Sequence, residues 1–299
     1  MVQFSKNLAC TWKKNVSLAP FSTYKIGGPA KLFTQINSLD ESIDAIKFCY
    51  DNQIDFFIVG KGSNTLFDDR GFDGAVIYNA MKGFKALGEV FDVASGNSFA
   101  RFGQQVAKLG FGGLEYAIGI PGSIGGAVFM NAGASGQEIA PLVESVDYLH
   151  ENGTIQTYTQ DELVFKYRWS IFHNLKGMIT SVKLKLYPYP FARKKQLEII
   201  SARKKSQPYD EPSCGCVFRN GENYSTGKLI DELGLKGLSF GGAQISNLHG
   251  NFIVNTGDAK ASDVKNLILK IEKEFLERKK IVLKREIRFL PYQRNGNAL

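Results

Sequence analysis

Three short glycine clusters constrain this chain more than any other feature: Gly27-Gly28, Gly60-Lys61-Gly62-Ser63-Asn64, and the run from Gly119 to Gly133. Glycine has no Cβ, so backbone built from it can approach a flat or charged group closely. The segment Gly119-Ile120-Pro121-Gly122-Ser123-Ile124-Gly125-Gly126-Ala127, continuing to Asn131-Ala132-Gly133-Ala134, is too rich in small residues to bury much apolar surface of its own. Tight helix packing is the plain alternative for such a run. The middle cluster follows the apolar run Phe56-Phe57-Ile58-Val59, which reads as a buried strand. Consecutive amides after such a strand can fold into a concave nest for phosphate, or simply make a turn. The dinucleotide fingerprint fails because Thr65 stands where its third glycine belongs, and the Walker A spacing is absent. Three clusters together, with Thr23-Tyr24-Lys25-Ile26 before the first, favour a large dinucleotide-like ligand.

At 299 residues the chain exceeds what one core usually supports, so two or three domains are expected. Apolar residues at 43% and charged residues at 22% are the balance of a folded globule. No run of roughly 18 apolar residues occurs, and the opening MVQFSKNLACTWKKN lacks the apolar core of a secretory leader. A cytoplasmic protein with no membrane partner is therefore expected, and Cys10, Cys49, Cys214 and Cys216 are expected as thiols. Cys214 and Cys216 are too close for a comfortable disulfide, and no second pair completes a zinc site. With only His150, His173 and His249 besides, no metal centre is expected. The net charge of +8 would suit nucleic acid, and equally a site for several anionic small molecules. The basic runs Arg193-Lys194-Lys195 and Arg203-Lys204-Lys205 read as solvated helix faces.

Local patterns predict a helix over 38–52 with a Ser38/Glu41 capping box, and one from Ser98 carrying Phe99, Phe102, Val106 and Leu109 to Gly110. Residues 143–149 and 154–158 alternate around Glu151-Asn152-Gly153 as a hairpin, and 179–187 read as a strand. A basic helix lies within 189–212, and a domain boundary is placed near 190–200. Beyond it come a short helix capped by Ser225, a strand at Phe252-Ile253-Val254 and an amphipathic helix starting at Ser262. A last strand is read over Ile281–Leu290. The whole reads as α+β.

Phe21-Ser22-Thr23-Tyr24-Lys25-Ile26-Gly27-Gly28, Gly60-Lys61-Gly62-Ser63-Asn64 and Ile120-Pro121-Gly122-Ser123-Ile124-Gly125-Gly126 resemble the three FAD-contacting segments of the UDP-N-acetylenolpyruvoylglucosamine reductase family. The likeness runs from about residue 15 to 290. It implies a PCMH-type, vanillyl-alcohol oxidase-like FAD-binding domain in two lobes, 1–55 and 56–192 (about 22–190 overall). It also implies a C-terminal α+β substrate-binding domain, 200–299, whose last strand returns to the active site. The implied cofactor contacts are Tyr24, Ile26, Gly27, Gly60, Lys61, Gly62, Ser63, Asn64, Ile120, Pro121, Gly122, Ser123, Gly125, Gly126, Asn131 and Arg288.

Three further segments extend the resemblance. Tyr167-Arg168-Trp169-Ser170-Ile171-Phe172 resembles the family's segment bearing a catalytic arginine, matched by Arg168. Gly215-Cys216-Val217-Phe218-Arg219-Asn220 resembles Gly-Ser-x-Phe-x-Asn, in which the serine donates a proton; here Cys216 replaces it. A thiol, with an ordinary pKa of about 8.5, is largely protonated at neutral pH and can still donate. Glu286-Ile287-Arg288-Phe289 resembles Glu-Val-Arg-Phe and places Glu286 at the catalytic glutamate. Tyr167 and Asn220 are the implied substrate contacts, Asn220 matching an asparagine that holds the substrate diphosphate; Arg203, before Gln207-Pro208, is a candidate phosphate partner. Only about 40 residues separate the Arg168 segment from Ser213, so the chain resembles the shorter, type II enzymes.

The resemblance implies reduction of UDP-N-acetylglucosamine enolpyruvate to UDP-N-acetylmuramate for peptidoglycan synthesis, with FAD as cofactor and NADPH as co-substrate. A monomer is expected. Two other classes fit less of the sequence. An alcohol or sugar oxidase on the same scaffold leaves the Arg168, Cys216 and Glu286 segments unexplained. A nucleic-acid-binding protein would lack flavin and bind with steep salt dependence.

Overall fold

The computed structural model describes residues 9–293; the first eight residues of the opening segment, read above for a leader, lie outside the described residues. The chain divides into two compact units. The first takes residues up to Lys14, Leu32–Lys61 and Gly74–Ala202; the second takes Asn15–Lys31, Gly62–Asp73 and the chain from Arg203 onward.

The first unit holds two apolar cores. In one, helix α1 (Leu39–Asp51) turns Ala45, Ile46, Phe48 and Cys49 onto Leu32, Ile36, Ala75 and Ile77. The Phe56–Val59 strand runs parallel to Phe72–Asn79, pairing Phe56 with Ala75 and Val59 with Tyr78. Ser38 Oγ accepts from Glu41 N at 3.2 Å, but the Glu41 carboxylate reaches back to Asn37 N rather than Ser38 N. The expected capping box is thus shifted by one residue.

The other core lies against a five-stranded antiparallel sheet in the order Ile155–Thr159, Val143–His150, Gly177–Lys185, Val90–Ala94, Phe84–Leu87. Helix α2 (Phe99–Lys108), capped by Ser98, buries Phe99, Phe102 and Val106 there, with Phe102 edge-on to Phe91. Helix α3 (Ile124–Phe129) starts inside the third glycine cluster, where Ser123 Oγ accepts from Gly126 N at 3.2 Å. Helix α4 (Ala192–Ser206) is the basic helix; its buried Gln196 donates to Gly103 O at 2.9 Å.

The described residues of the second unit pack around one core. Helix α6 (Ala261–Lys279) presents Val264, Leu267, Ile268, Ile271 and Phe275 to Tyr24, Leu66, Val217, Phe218, Ile245 and Ile253. A three-stranded antiparallel sheet (Ser239–Phe240, Ala243–Ile245, Ile253–Asn255) and helix α5 (Thr226–Glu232) complete it.

The structure departs from two expectations. Ser262 does not begin α6. The Asp69 carboxylate accepts from Ala261 N at 2.6 Å and Ser262 N at 3.0 Å, so the cap comes from far away in sequence. Nor is Ile281–Leu290 one strand. Only Arg288–Leu290 is paired as a strand, parallel to Thr65–Phe67. Upstream, Val217 O accepts from both Glu286 N (2.8 Å) and Ile287 N (3.2 Å), and two successive amides on one carbonyl interrupt a regular ladder. No helix among the described residues is long and apolar enough to cross a membrane.

Candidate active site

In the second unit, Cys216, Glu286 and Arg288 are brought together through backbone. Cys216 bridges Phe252, and its neighbour Val217 accepts the Glu286 amide. Asn64 then holds the Glu286–Arg288 segment from the other edge: Nδ2 donates to Glu286 O at 3.1 Å, and its own carbonyl accepts from Arg288 N at 3.0 Å. Cys216 and Glu286 are half-buried and Arg288 is exposed. The two thiols two residues apart differ sharply. Cys214 is buried, its Sγ donating to Gly62 O (3.4 Å) and Thr65 O (3.3 Å), and burial pushes its pKa up to about 11. Cys216 is therefore the one with access to a ligand.

Asn220 is exposed, and its Oδ1 accepts from Thr226 N at 3.0 Å. It caps α5 in place of Ser225, whose side chain makes no cap bond. Arg203 departs from the solvated face expected for its run: it is buried and bonds the Tyr209 side chain, while Lys204 and Lys205 are exposed.

In the first unit, Tyr167-Arg168 form the two-residue turn between Phe165–Lys166 and Trp169–Ser170. Arg168 has φ +55°, a left-handed conformation uncommon for a residue with a long side chain. Its Nη2 donates to Gly133 O at 2.8 Å, and the guanidinium lies 4.9 Å from the Tyr167 ring centre. The hairpin is anchored by buried Ser170, whose Oγ donates to Phe129 O at 2.7 Å. Asn131 anchors it too. Its Nδ2 donates to Lys166 O (3.1 Å) and Glu138 Oε2 (2.9 Å), and its Oδ1 accepts from Ala140 N (3.2 Å). Fully buried and so engaged, the Asn131 side chain supports the Arg168 turn, and its amide donates to Val128 O at 3.1 Å. Sequence reasoning had no way to see this supporting role.

Each unit offers groups that fit an FAD. Among the described residues, the consecutive amides of Gly62, Ser63 and Asn64 find no acceptor within the protein, as a diphosphate would need. A Cβ at Gly62 would sit 2.1 Å from Phe21 O, so that close approach requires glycine. The Tyr24 hydroxyl is fully buried and has no hydrogen-bond partner among the described residues, while Tyr24 O accepts from Asn255 Nδ2 at 2.9 Å. Ile26 lies in the core, and Gly27 is half-buried, where a Cβ would come 3.0 Å from Phe67 Cβ. In the first unit a Cβ at Gly60 would come 2.3 Å from Ser123 Oγ, so Gly60 and the Ser123 turn are in direct apposition. Around it, Gly122 O accepts from Phe99 N, and Gly125 N donates to Ser95 O. Lys61, Pro121 and Gly126 are exposed, and Ile120 and Gly125 half-buried.

Comparisons with known proteins agree with this layout. Residues 30–159 match the FAD binding domain family, and residues 207–290 match the C-terminal domain of UDP-N-acetylenolpyruvoylglucosamine reductase. The reductase of that name from Chlamydia felis is 47% identical over 94% of this chain and 95% of its own. That of Protochlamydia amoebophila is 45% identical over 95% of each chain. The crystal structure of the Thermus caldophilus reductase superposes with a TM-score of 0.82 at 35% identity, covering 94% of this chain and 100% of that one. This chain belongs to the UDP-N-acetylenolpyruvoylglucosamine reductase family of FAD-dependent oxidoreductases.

Proposed function

We propose that Cys216 protonates, and Arg168 and Glu286 electrostatically support, the reduction of UDP-N-acetylglucosamine enolpyruvate to UDP-N-acetylmuramate that defines this family. NADPH is the electron source. When bound, FAD supplies the hydride that adds to the terminal vinyl carbon of the substrate. The rest falls to side chains. Negative charge grows toward a carboxylate that is already anionic, so fixed positive charge lowers the barrier. Arg168 can grip both carboxylate oxygens through its planar fork and never loses its charge. Glu286, in its protonated form, hydrogen-bonds the same oxygens. Cys216 transfers its thiol proton to the α-carbon, sets the stereochemistry there, and is reprotonated from solvent. A positioned donor of this kind contributes about 10²–10⁴-fold.

In the second unit the amides of Gly62, Ser63 and Asn64 would hold the cofactor diphosphate and the Tyr24 hydroxyl is a further contact; in the first unit the proposed contacts are the Gly60 and Gly122–Gly126 turns. Tyr167, Arg203 and Asn220 are proposed substrate contacts. The division into lobes 1–55 and 56–192 and a substrate domain 200–299 belongs to the same reading, as do a cytoplasmic monomer and the absence of a nucleic-acid partner. The observation supporting it most is the half-exposed Cys216 tied through Val217 to the Glu286 amide. The test is anaerobic: the enolpyruvyl sugar nucleotide should reoxidise the NADPH-reduced protein. Cys216→Ala should leave reduction by NADPH intact and slow reoxidation by about 10²-fold or more. Unchanged reoxidation in that variant would assign the proton to another group.

A further inference from the structure

The segment carrying the proposed proton donor is held by one side chain outside every motif discussed above. Asn251 is 2% exposed. Its carbonyl accepts from Val217 N at 2.9 Å. Its Oδ1 accepts from Phe218 N at 3.0 Å, and its Nδ2 donates to Phe218 O at 2.8 Å. Both backbone groups of Phe218 and the amide of Val217 thus rest on a single residue, and the next one, Phe252, bridges Cys216 itself. Asn251 is fixed in turn, since its amide donates to His249 Nδ1 at 3.2 Å. That bond requires an unprotonated Nδ1. Burial, then the Lys236 charge, lower the His249 pKa and favour the neutral ring. Across the cluster, a Cβ on Gly227 would come within 3.0 Å of His249 Cε1 and 3.3 Å of Asn251 Cβ, so glycine there leaves the pair its room.

We infer that Asn251 is a positioning residue for the protonation step, holding the Cys216–Phe218 segment where the thiol can reach the substrate carbon. The inference rests on the reading of Cys216 as donor. Proton transfer needs donor and acceptor within hydrogen-bond reach, about 2.6–3.2 Å between heavy atoms. A displacement of about 1 Å caused by a change elsewhere can cost about 10²-fold in rate. Asn251 touches no reacting atom and acts only through the backbone it grips.

The experiment uses FAD-loaded Asn251→Ala and Asn251→Ser. Flavin reduction by NADPH should stay within about two-fold of the parent, while reoxidation by the enolpyruvyl sugar nucleotide falls by about 10²-fold with little change in its KM. Hydrogen exchange at the Phe218 amide should accelerate, a readout independent of turnover. Added to Cys216→Ala, Asn251→Ala should cause no further loss, because residues acting as a unit are not additive. Reoxidation within about three-fold of the parent, additive losses, or flavin loss or equal slowing of both half-reactions in both variants would each overturn the inference. The two readings separate cleanly. A fast Cys216→Ala removes the donor assignment, whereas a slow Cys216→Ala beside fast Asn251 variants removes only the role of Asn251.

Discussion

The backbone at Arg168 is held in a left-handed turn between two short paired strands, and that turn sets where the guanidinium lies. The Arg168 segment stands out in the sequence, yet nothing there shows that Arg168 adopts φ +55°, a conformation that costs on the order of 1–3 kcal/mol and persists only when its surroundings impose it. The surroundings are Asn131 and Ser170, both buried and both bonded to the main chain around the turn. Asn131 adds three side-chain hydrogen bonds that brace the turn, a role its place after a glycine cluster does not announce. Likewise the sequence set Cys214 and Cys216 side by side, and only packing separates an interior thiol from an accessible one. Arg168→Lys keeps the charge but loses the planar fork that reaches Gly133 O and that the proposed carboxylate contact requires. Turnover should fall by about 10²-fold, with flavin reduction by NADPH unaffected in stopped-flow traces. A near-normal kcat would remove the carboxylate role.

At the scale of elements, the segments that sequence located well are those whose determinants are local. Helices α1 and α2 carry their own caps in Ser38 and Ser98, and the Val143–His150/Ile155–Thr159 hairpin carries its own turn. Failures occur where the determinant is remote. The α6 cap is Asp69, 192 residues before Ala261, whereas the local pattern points to the nearer Ser262. The Arg288–Leu290 strand has its partner at Thr65–Phe67, and the apolar residues before it pack without forming a ladder. Asp69→Ala should therefore destabilise the second unit by about 1–2 kcal/mol in urea unfolding, whereas Ser262→Ala should change stability by only a few tenths of that. Equal effects of the two substitutions would contradict the remote cap.

At the scale of the whole chain, two early stretches, Asn15–Lys31 and Gly62–Asp73, belong with residues after Arg203. No composition change marks them, because the partners that claim them lie far along the sequence. Both units contain groups suited to the cofactor, and a ligand that binds only the folded state stabilises it by mass action. FAD at about 100 times its Kd should add about 2.7 kcal/mol, read as a higher melting temperature than that of flavin-stripped protein. An unchanged melting curve would show that the folded chain does not take up the cofactor. The parallel pairing of Thr65–Phe67 with Arg288–Leu290 has a consequence for biosynthesis. A nascent polypeptide that has just emerged through Phe67 must wait until Leu290 is translated before its strand finds a neighbour. At about 5–20 residues per second that delay is on the order of ten to forty seconds. Throughout it Leu66 and Phe67, both buried in the finished protein, are left for chaperones to shield.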